Sequence, residues 1–581
     1  MAQSNPVSKW HFPKRVAYVV NHSFPYSSDG YAVRTHEVAR ALGAEGHDVL
    51  VINRPGRPWD IEGFSAKTVV PSEQVVDGVR YIFLPMHVEA AMNRRARLRE
   101  AERVLMAAFE VFRPGAVMAV SNWENAEPAQ YAARRWGVPF FYEQRGFWEM
   151  SRAACDEGYA QTDDYALSRD AELRIAREAE VVFTLNRAMR EELLRRGVEA
   201  EKVFLVPNGV SKPRAIPKGI TRETVGCQSQ HLLGYVGSLN EYEGCSDLLK
   251  LIARLRADQL DVGLLVVGSS APKGLIGSEQ AAPTETRLRA EVRELGLQGF
   301  VHFVPQVAQD KIGAYYSMLD AVIMPRCRTT MTELVAPLKP YAAATYGVPV
   351  FMTDMPPLDE IAEDIHGSLF PEGDIETLAA MVRETLLKGG HPATMNSLKP
   401  AVQWGLRIQP MSRALRTVAQ KDTSIKDVLG ELGTPENQEP MGKKGWFDAS
   451  VIPQVALGVA PQDERVLTIG PCAHLGQNVA QTVLTRANLL PELATGSPGR
   501  FIIDWVGIAA EPGEWEGLWS IQNMRLNRQI MNACSIALDR GWHIQVVGPV
   551  YRSKAPLFRT VRAVMEEIHP QTGVALQEIA E

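Results

Sequence analysis

Cysteine is scarce and unpatterned. The 581 residues hold six, Cys155, Cys227, Cys245, Cys327, Cys472 and Cys534, none in a Cys-x-x-Cys pair. That argues against a disulfide framework and against a zinc site. Long apolar runs are also missing: no segment offers the roughly eighteen uninterrupted apolar residues of a membrane span. The opening MAQSNPVSKWHFPKR lacks the apolar core of a secretory signal, so a cytoplasmic location is expected. Neither charge is in excess. Against 62 Lys and Arg stand 68 Asp and Glu, a net charge of −6, and no nucleic-acid partner held by bulk charge is expected. What is present is an ordinary globular composition, 45% hydrophobic and 22% charged. It is spread over a chain too long for one core, with about three or four domains expected.

The most informative stretch is 321–350, AVIMPRCRTTMTELVAPLKPYAAATYGVPV. It predicts a short buried strand, a polar loop with Arg326 and Arg328, and a segment Pro337-Leu338-Lys339-Pro340 running into an Ala-rich helix. A second strand follows over 348–353. In such a unit of a parallel sheet, an anion is best held where the loop meets the helix N-terminus, because unpaired N–H groups and the helix dipole point there. Arg326 and Lys339 add two cations suited to phosphate oxygens. A diphosphate site is one reading; a solvated helix-end lysine and a surface arginine are the other.

Upstream, RVAYVV (15–20), a polar loop (21–30), a helical pattern (31–43) and a strand (49–53) form a βαβ unit with Gly30 at its first loop-to-helix junction. Apolar strands at 79–84, 116–120, 139–143 and 181–185 continue the alternation. An arginine-rich helix over 90–112 reads as a solvated face. YEQRGFWE (142–149) sets Glu143, Arg145 and two aromatics just past a strand's carboxyl end, where such sheets bind ligands. A packed aromatic loop with an internal ion pair is the alternative. VFLVPNGV (203–210) and a Pro-containing linker (211–230) lead to a second alternating series. That series carries Gly237, Gly268 and, after Pro371-Glu372-Gly373-Asp374, closing helices at about 375–387 and 398–420. The expected fold class is α/β: two doubly wound Rossmann-like domains, 1–212 and 213–420, facing a cleft, then a linker over 421–445 and a small α/β domain over 446–581.

In that last region RVLTIG (465–470), FIIDWVG (501–507) and HIQVVG (543–548) are strand candidates. His474, Asp504, Glu511 and Glu514 either line a pocket at a sheet edge or cap helices and fill loops. Trp505, Trp515, Trp519 and Trp542 either stack on sugars or pack in a core.

In order, GYAVRTHEVARAL, YEQRGFWE, VFLVPNGV, YVGSLNEYEG, LLVVG, DAVIMPR, VAPLKPYAAATYGVPV and PEGD resemble the retaining, nucleotide-sugar-dependent glycosyltransferases of the GT-B fold. The similar branch is family 4-like and carries Pro-Leu-Lys-Pro before its sugar-nucleotide helix. The resemblance spans about 14–420 and leaves the C-terminal domain unassigned. It implies an NDP-sugar co-substrate held mainly by the second domain, no other cofactor, and a glycan, lipid-linked or small-molecule acceptor in the first. No bound metal is implied, because basic side chains and helix N-termini neutralise the leaving diphosphate. The candidate catalytic residues are Arg326 and Lys339, where the resemblance agrees with the reading of the residues, and Glu143 and Arg145, taken from their place after a strand. Gly30, Gly237, Ser238, Gly268, Glu333, Pro340, Tyr341 and Ala342 are implied around the donor. Peripheral membrane attachment and homo-oligomerisation through the C-terminal domain stay open.

Three positions depart from the family's pattern. Ala342 stands where a ribose-binding glutamate is usual, leaving that role to Glu333 or Tyr341. Val120-Ser121-Asn122 replaces a strand ending in histidine, and Asn240-Glu241-Tyr242-Glu243 replaces an arginine-lysine pair. Two expectations follow: an active transferase with an altered site, or a GT-B protein that has lost turnover and serves as a binding or regulatory partner. A sugar-nucleotide epimerase of the same fold is disfavoured, because its acid/base carboxylate and histidine set is not evident.

Overall fold

The computed structural model describes residues 12–419 and 465–547, apart from 62, 87–91, 155, 157, parts of 212–218, 269–283, 308–309, 389–397, 471–479, 496 and parts of 505–539. The first sheet contains β1 (Phe12–Val20), β2 (Asp48–Asn53), β3 (Glu73–Val76), β4 (Val79–Ile82), β5 (Pro114–Val120), β6 (Phe140–Gln144), β7 (Val181–Thr184) and β8 (Val203–Leu205), in the order β3-β4-β2-β1-β5-β6-β7-β8. Every pairing is parallel except the β3–β4 hairpin. Strand β5 is buried along its whole length, as expected where helices cover both faces. Strand β3 is not apparent in the sequence. Its EQVV is only half-buried and has no apolar run to betray it.

The second sheet contains β9 (His231–Val236), β10 (Val262–Val267), β11 (Val301–Val304), β12 (Ala321–Met324), β13 (Val350–Thr353) and β14 (Ser368–Phe370), all parallel, in the order β11-β10-β9-β12-β13-β14. Each sheet reverses its strand order once, between β1 and β5 in the first and between β9 and β12 in the second. The crevice outside the carboxyl ends at such a reversal is where open α/β sheets bind ligands.

The closing helix expected over 398–420 is instead a 3₁₀ turn (Pro400–Val402), a short helix (Trp404–Arg407) and a longer one (Gln409–Ala419). The two helices pack on the first sheet, while Arg407 keeps an ion pair with Asp364 of the second domain. Trp404, Ile408, Met411, Ala414 and Leu415 share a core with Val16, Tyr18 and Val20 of β1, because their helical spacing presents one apolar stripe. His47 Nε2 lies 3.0 Å from Ser412 Oγ, and Arg416 pairs with Glu45 at 2.6 Å.

The third sheet is small and parallel: β15 (Val466–Ile469), β16 (Gln481–Val483), β17 (Arg500–Asp504) and β18 (His543–Val547), ordered β16-β15-β17-β18. Trp515 and Trp542 are buried in its core, which removes them from any exposed stacking platform. Trp505, Trp519, His474, Glu511 and the linker over 421–445 lie outside the described residues. Asp504 is buried, and exposed Glu514 accepts from the Arg486 amide.

Candidate functional site

Just beyond the carboxyl ends of β9 and β12 a cluster of charge is taken out of water. Lys339 opens a seven-residue helix, Lys339–Thr345. Its Nζ lies 2.8 Å from Glu243 Oε1 and donates to the Tyr235 hydroxyl at 2.6 Å. Arg326 is 3% exposed, so it is not a surface loop residue. It donates through Nη1 to Val335 O at 3.0 Å, and its Nε stands 3.7 Å from Glu243 Oε2. Neither of those last two atoms has a hydrogen-bond partner among the described residues; their attraction is coulombic. Burial works to raise the Glu243 pKa, but Lys339 and Arg326 hold it below the ordinary carboxylate value. Burial lowers that of Lys339, against the pull of Glu243.

The glycines beneath are there for contact. A Cβ on Gly237 would stand 2.1 Å from Lys339 Cε, so the lysine stem lies across the glycine loop. A Cβ on Gly268 would stand 1.9 Å from Gly237 O. Ser238 is half-buried in the same loop, its carbonyl accepting from Tyr235. The other expected donor residues are less convergent. Tyr341 is buried and donates to Asp364 at 2.6 Å, Pro340 is buried beside it, and Ala342 packs partly against the core. Glu333 pairs with Arg328 at 2.8 Å, both side chains well exposed.

Glu143 and Arg145 form a second, separate cluster in the first domain. Glu143 is wholly buried. Its Oε1 accepts from Arg34 Nε at 2.9 Å, and its Oε2 from Arg145 Nη2 at 2.8 Å and the Tyr18 hydroxyl at 2.5 Å. Arg34 continues to Asn208 Oδ1 at 2.9 Å and Val206 O at 2.7 Å, which fixes the Pro-Asn-Gly loop. Arg145 continues to Tyr31 O at 2.9 Å and Thr35 Oγ1 at 2.8 Å. Burial would raise the Glu143 pKa; Arg145 and Arg34 bring it down to about 2. The internal ion pair, not an open catalytic pair, is the arrangement found, because both charges are spent on neighbours.

At the reversal point of this first sheet, four buried atoms have no hydrogen-bond partner among the described residues: Asn21 Oδ1, His22 Nδ1, Asn122 Oδ1 and Asn125 Oδ1. His22 Nε2 is 2.8 Å from Asp29 Oδ2, and Asp29 caps the helix Gly30–Ala44. The loops of the two domains meet here. Gln306 donates to Ser28 at 3.1 Å, Asn186 to Leu334 O at 2.8 Å and Asn208 to Ala336 O at 3.4 Å. A Cβ on Gly30 would stand 3.8 Å from Leu338 Cβ. Gly30 therefore lies against the Pro-Leu-Lys-Pro segment.

Sequence reasoning missed Glu243, Tyr235, Arg34 and Tyr18. The signal for Glu243 was present as an acid where a basic pair is usual, but its pairing with Lys339 is made only by the fold. Two surface depressions of about 400 and 420 Å3 lie elsewhere and include no residue of either cluster. Among the described residues no group of three or more His, Cys, Asp or Glu is placed to hold a metal ion, and no helix is long and apolar enough to cross a membrane.

Comparison with known proteins agrees with this architecture. Residues 29–209 match the glycosyl transferase 4-like domain, and residues 222–399 match the glycosyl transferases group 1. A D-inositol 3-phosphate glycosyltransferase of Acidothermus cellulolyticus is 24% identical over 343 residues, 54% of this chain and 70% of the relative. One from Stackebrandtia nassauensis is 25% identical over 398 residues, 63% of this chain and 82% of the relative. Among solved structures, a sucrose-phosphate synthase from Thermosynechococcus elongatus superposes with a TM-score of 0.50 at 19% identity, over 72% of this chain and 97% of that one. With both domain models matched in tandem on two facing Rossmann-like sheets, the chain belongs to the nucleotide-sugar glycosyltransferases of the GT-B fold.

Proposed function

We propose that the chain is a retaining glycosyltransferase that moves a sugar from an NDP-sugar to a hydroxyl acceptor without a bound metal. The observation that carries this is the pair of cations, Arg326 and Lys339, gathered at the reversal point of the second sheet over the Gly237 loop. Cleavage of the sugar–phosphate bond leaves added negative charge on the diphosphate. Cations fixed at that place favour the transition state over the ground state. Retention follows from attack on the face from which the diphosphate departs.

The acceptor binds the first domain. The unpartnered oxygens of Asn21, Asn122 and Asn125 suit the hydroxyls of a polyol. The names of the curated relatives favour a small polyol phosphate over a glycan or a lipid-linked acceptor. A second reading, a GT-B protein without turnover that binds a partner or ligand, draws on Glu243, which offsets part of the cationic charge, and on Ala342, which cannot bind ribose hydroxyls.

A panel of nucleotide sugars tests the proposal on the full chain and on Lys339→Ala. Saturable binding with slow donor hydrolysis, both lost in the variant, is the expected result. Binding without hydrolysis or transfer to any polyol phosphate selects the second reading, and no binding of any nucleotide sugar defeats the transferase reading.

A further inference from the structure

Glu243 is the least expected member of the donor-side cluster. It is 4% exposed and stands between two cations, 2.8 Å from Lys339 Nζ and 3.7 Å from Arg326 Nε. The fit is incomplete, since Glu243 Oε2 and Arg326 Nε make no hydrogen bond among the described residues. A carboxylate has two oxygens on one plane, whereas a phosphate offers three or more around a tetrahedron and meets two divergent cations better. Lys339 is the member nearest to solvent, its side chain 18% exposed. An incoming anion therefore meets the lysine first.

We infer that Glu243 is a resident counter-anion: its carboxylate holds the position between Lys339 and Arg326 that a donor phosphate would take, and a nucleotide diphosphate must compete with it. This rests on the donor site proposed above and adds a selecting residue to it. With Glu243 in place the cluster carries one net positive charge rather than two. A free nucleoside diphosphate bears about one more negative charge than its sugar ester, because its terminal phosphate has a second ionisation near pH 6. Like-charge repulsion from Glu243 therefore weighs more on the product than on the donor. Glu243 lowers affinity for the donor and lowers affinity for the spent nucleotide further, which assists release after transfer.

Calorimetric titration of the full chain with UDP, ADP and GDP, and with a sugar ester of each, tests this in the unaltered protein, in Glu243→Gln and in Glu243→Gln/Lys339→Met. The double variant removes the carboxylate and the lysine together, so it leaves no unpaired lysine behind. Expected is at least tenfold tighter binding of the preferred nucleoside diphosphate by Glu243→Gln, a smaller gain for its sugar ester, and loss of the gain in the double variant. In the unaltered chain the nucleoside diphosphate should bind no tighter than its sugar ester. That comparison needs no variant to fold. Equal or weaker binding by a folded Glu243→Gln, with the unaltered chain binding normally, overturns the inference and makes Glu243 a positioning residue for Lys339. So does a nucleoside diphosphate bound tenfold tighter than its ester by the unaltered chain. No binding by the unaltered chain or by folded Glu243→Gln removes the donor site itself, and the inference with it.

Discussion

Arg34 Nε and Glu143 Oε1 meet at 2.9 Å with side chains 3% and 0% exposed. This pair ties the first helix to the end of β6, and through Asn208 and Val206 it also fixes the loop that crosses to the second domain. Glu143 is thus a keystone of the first domain rather than a group free to move a proton. Glu143→Gln should cost about 3–5 kcal/mol of stability, because two buried arginines lose their shared charge. Urea unfolding measures it. The Glu143 pKa is depressed from 4.5 to about 2, so its contribution is present above about pH 4.5 and is lost as pH falls toward 2. The gap between the two proteins should close in that window. A variant as stable as the parent but without turnover would return Glu143 to the chemistry.

Gly268 sits at φ +144°, and a Cβ there would press on the Gly237 carbonyl at 1.9 Å. Backbone must yield, not a flexible side-chain end. Gly268→Ala should therefore destabilise the second domain by about 2–4 kcal/mol and shift the Gly237 loop on which Lys339 lies. Thermal unfolding and nucleotide titration should fail together. Loss of nucleotide affinity with an unchanged melting temperature would mean that Gly268 serves the ligand alone.

Most parallel strands were legible because burial on both faces writes them as continuous apolar runs, as in VGLLVVG and AVIM. Strand β3 was hidden by its half-exposed EQVV. The helices after 398 were legible as helices, but the sheet they cover was not, since an apolar stripe does not state its partner. The same limit applies to the site. Arg326 and Lys339 could be picked out by residue type and place, whereas the carboxylate between them comes from a loop some ninety residues away, a pairing that only the strand order creates. Glu143 and Arg145 were recognised as a charged pair at a strand's end, and the arginine that completes their cluster, Arg34, lies 109 residues before Glu143 in the helix Gly30–Ala44.

The tether of residues 404–419 to the first sheet is apolar in its energetics. Met411 is fully buried among β1 residues, whereas the Arg416–Glu45 pair is roughly a third exposed. Met411→Ala should cost about 2–4 kcal/mol and Arg416→Ala less than about 1 kcal/mol, both read by denaturant unfolding. The reverse order would show that the tether is held by its charges.

Glu172 is 2% exposed. It accepts from the Trp123 amide at 2.6 Å and is hydrogen-bonded by the Tyr142 hydroxyl. Burial, joined by the charge of Glu149, pushes its pKa up to about 8 against those two hydrogen bonds. The folded chain therefore keeps a proton that the unfolded chain releases near pH 4.5. Its contribution to stability falls as pH rises from about 4.5 to about 8 and is level beyond, at about 1.4 kcal/mol per pH unit at the steepest. Glu172→Gln mimics the protonated acid: its carbonyl can accept from Trp123 and its amide can donate to Tyr142. The variant should match the parent near pH 5 and exceed it by a few kcal/mol near pH 8, with the difference growing across that interval in paired unfolding curves. A stability difference constant from pH 5 to pH 8 would mean that Glu172 is already ionised in the folded chain and that Arg196, which pairs with Glu149 at 2.8 Å, compensates both carboxylates.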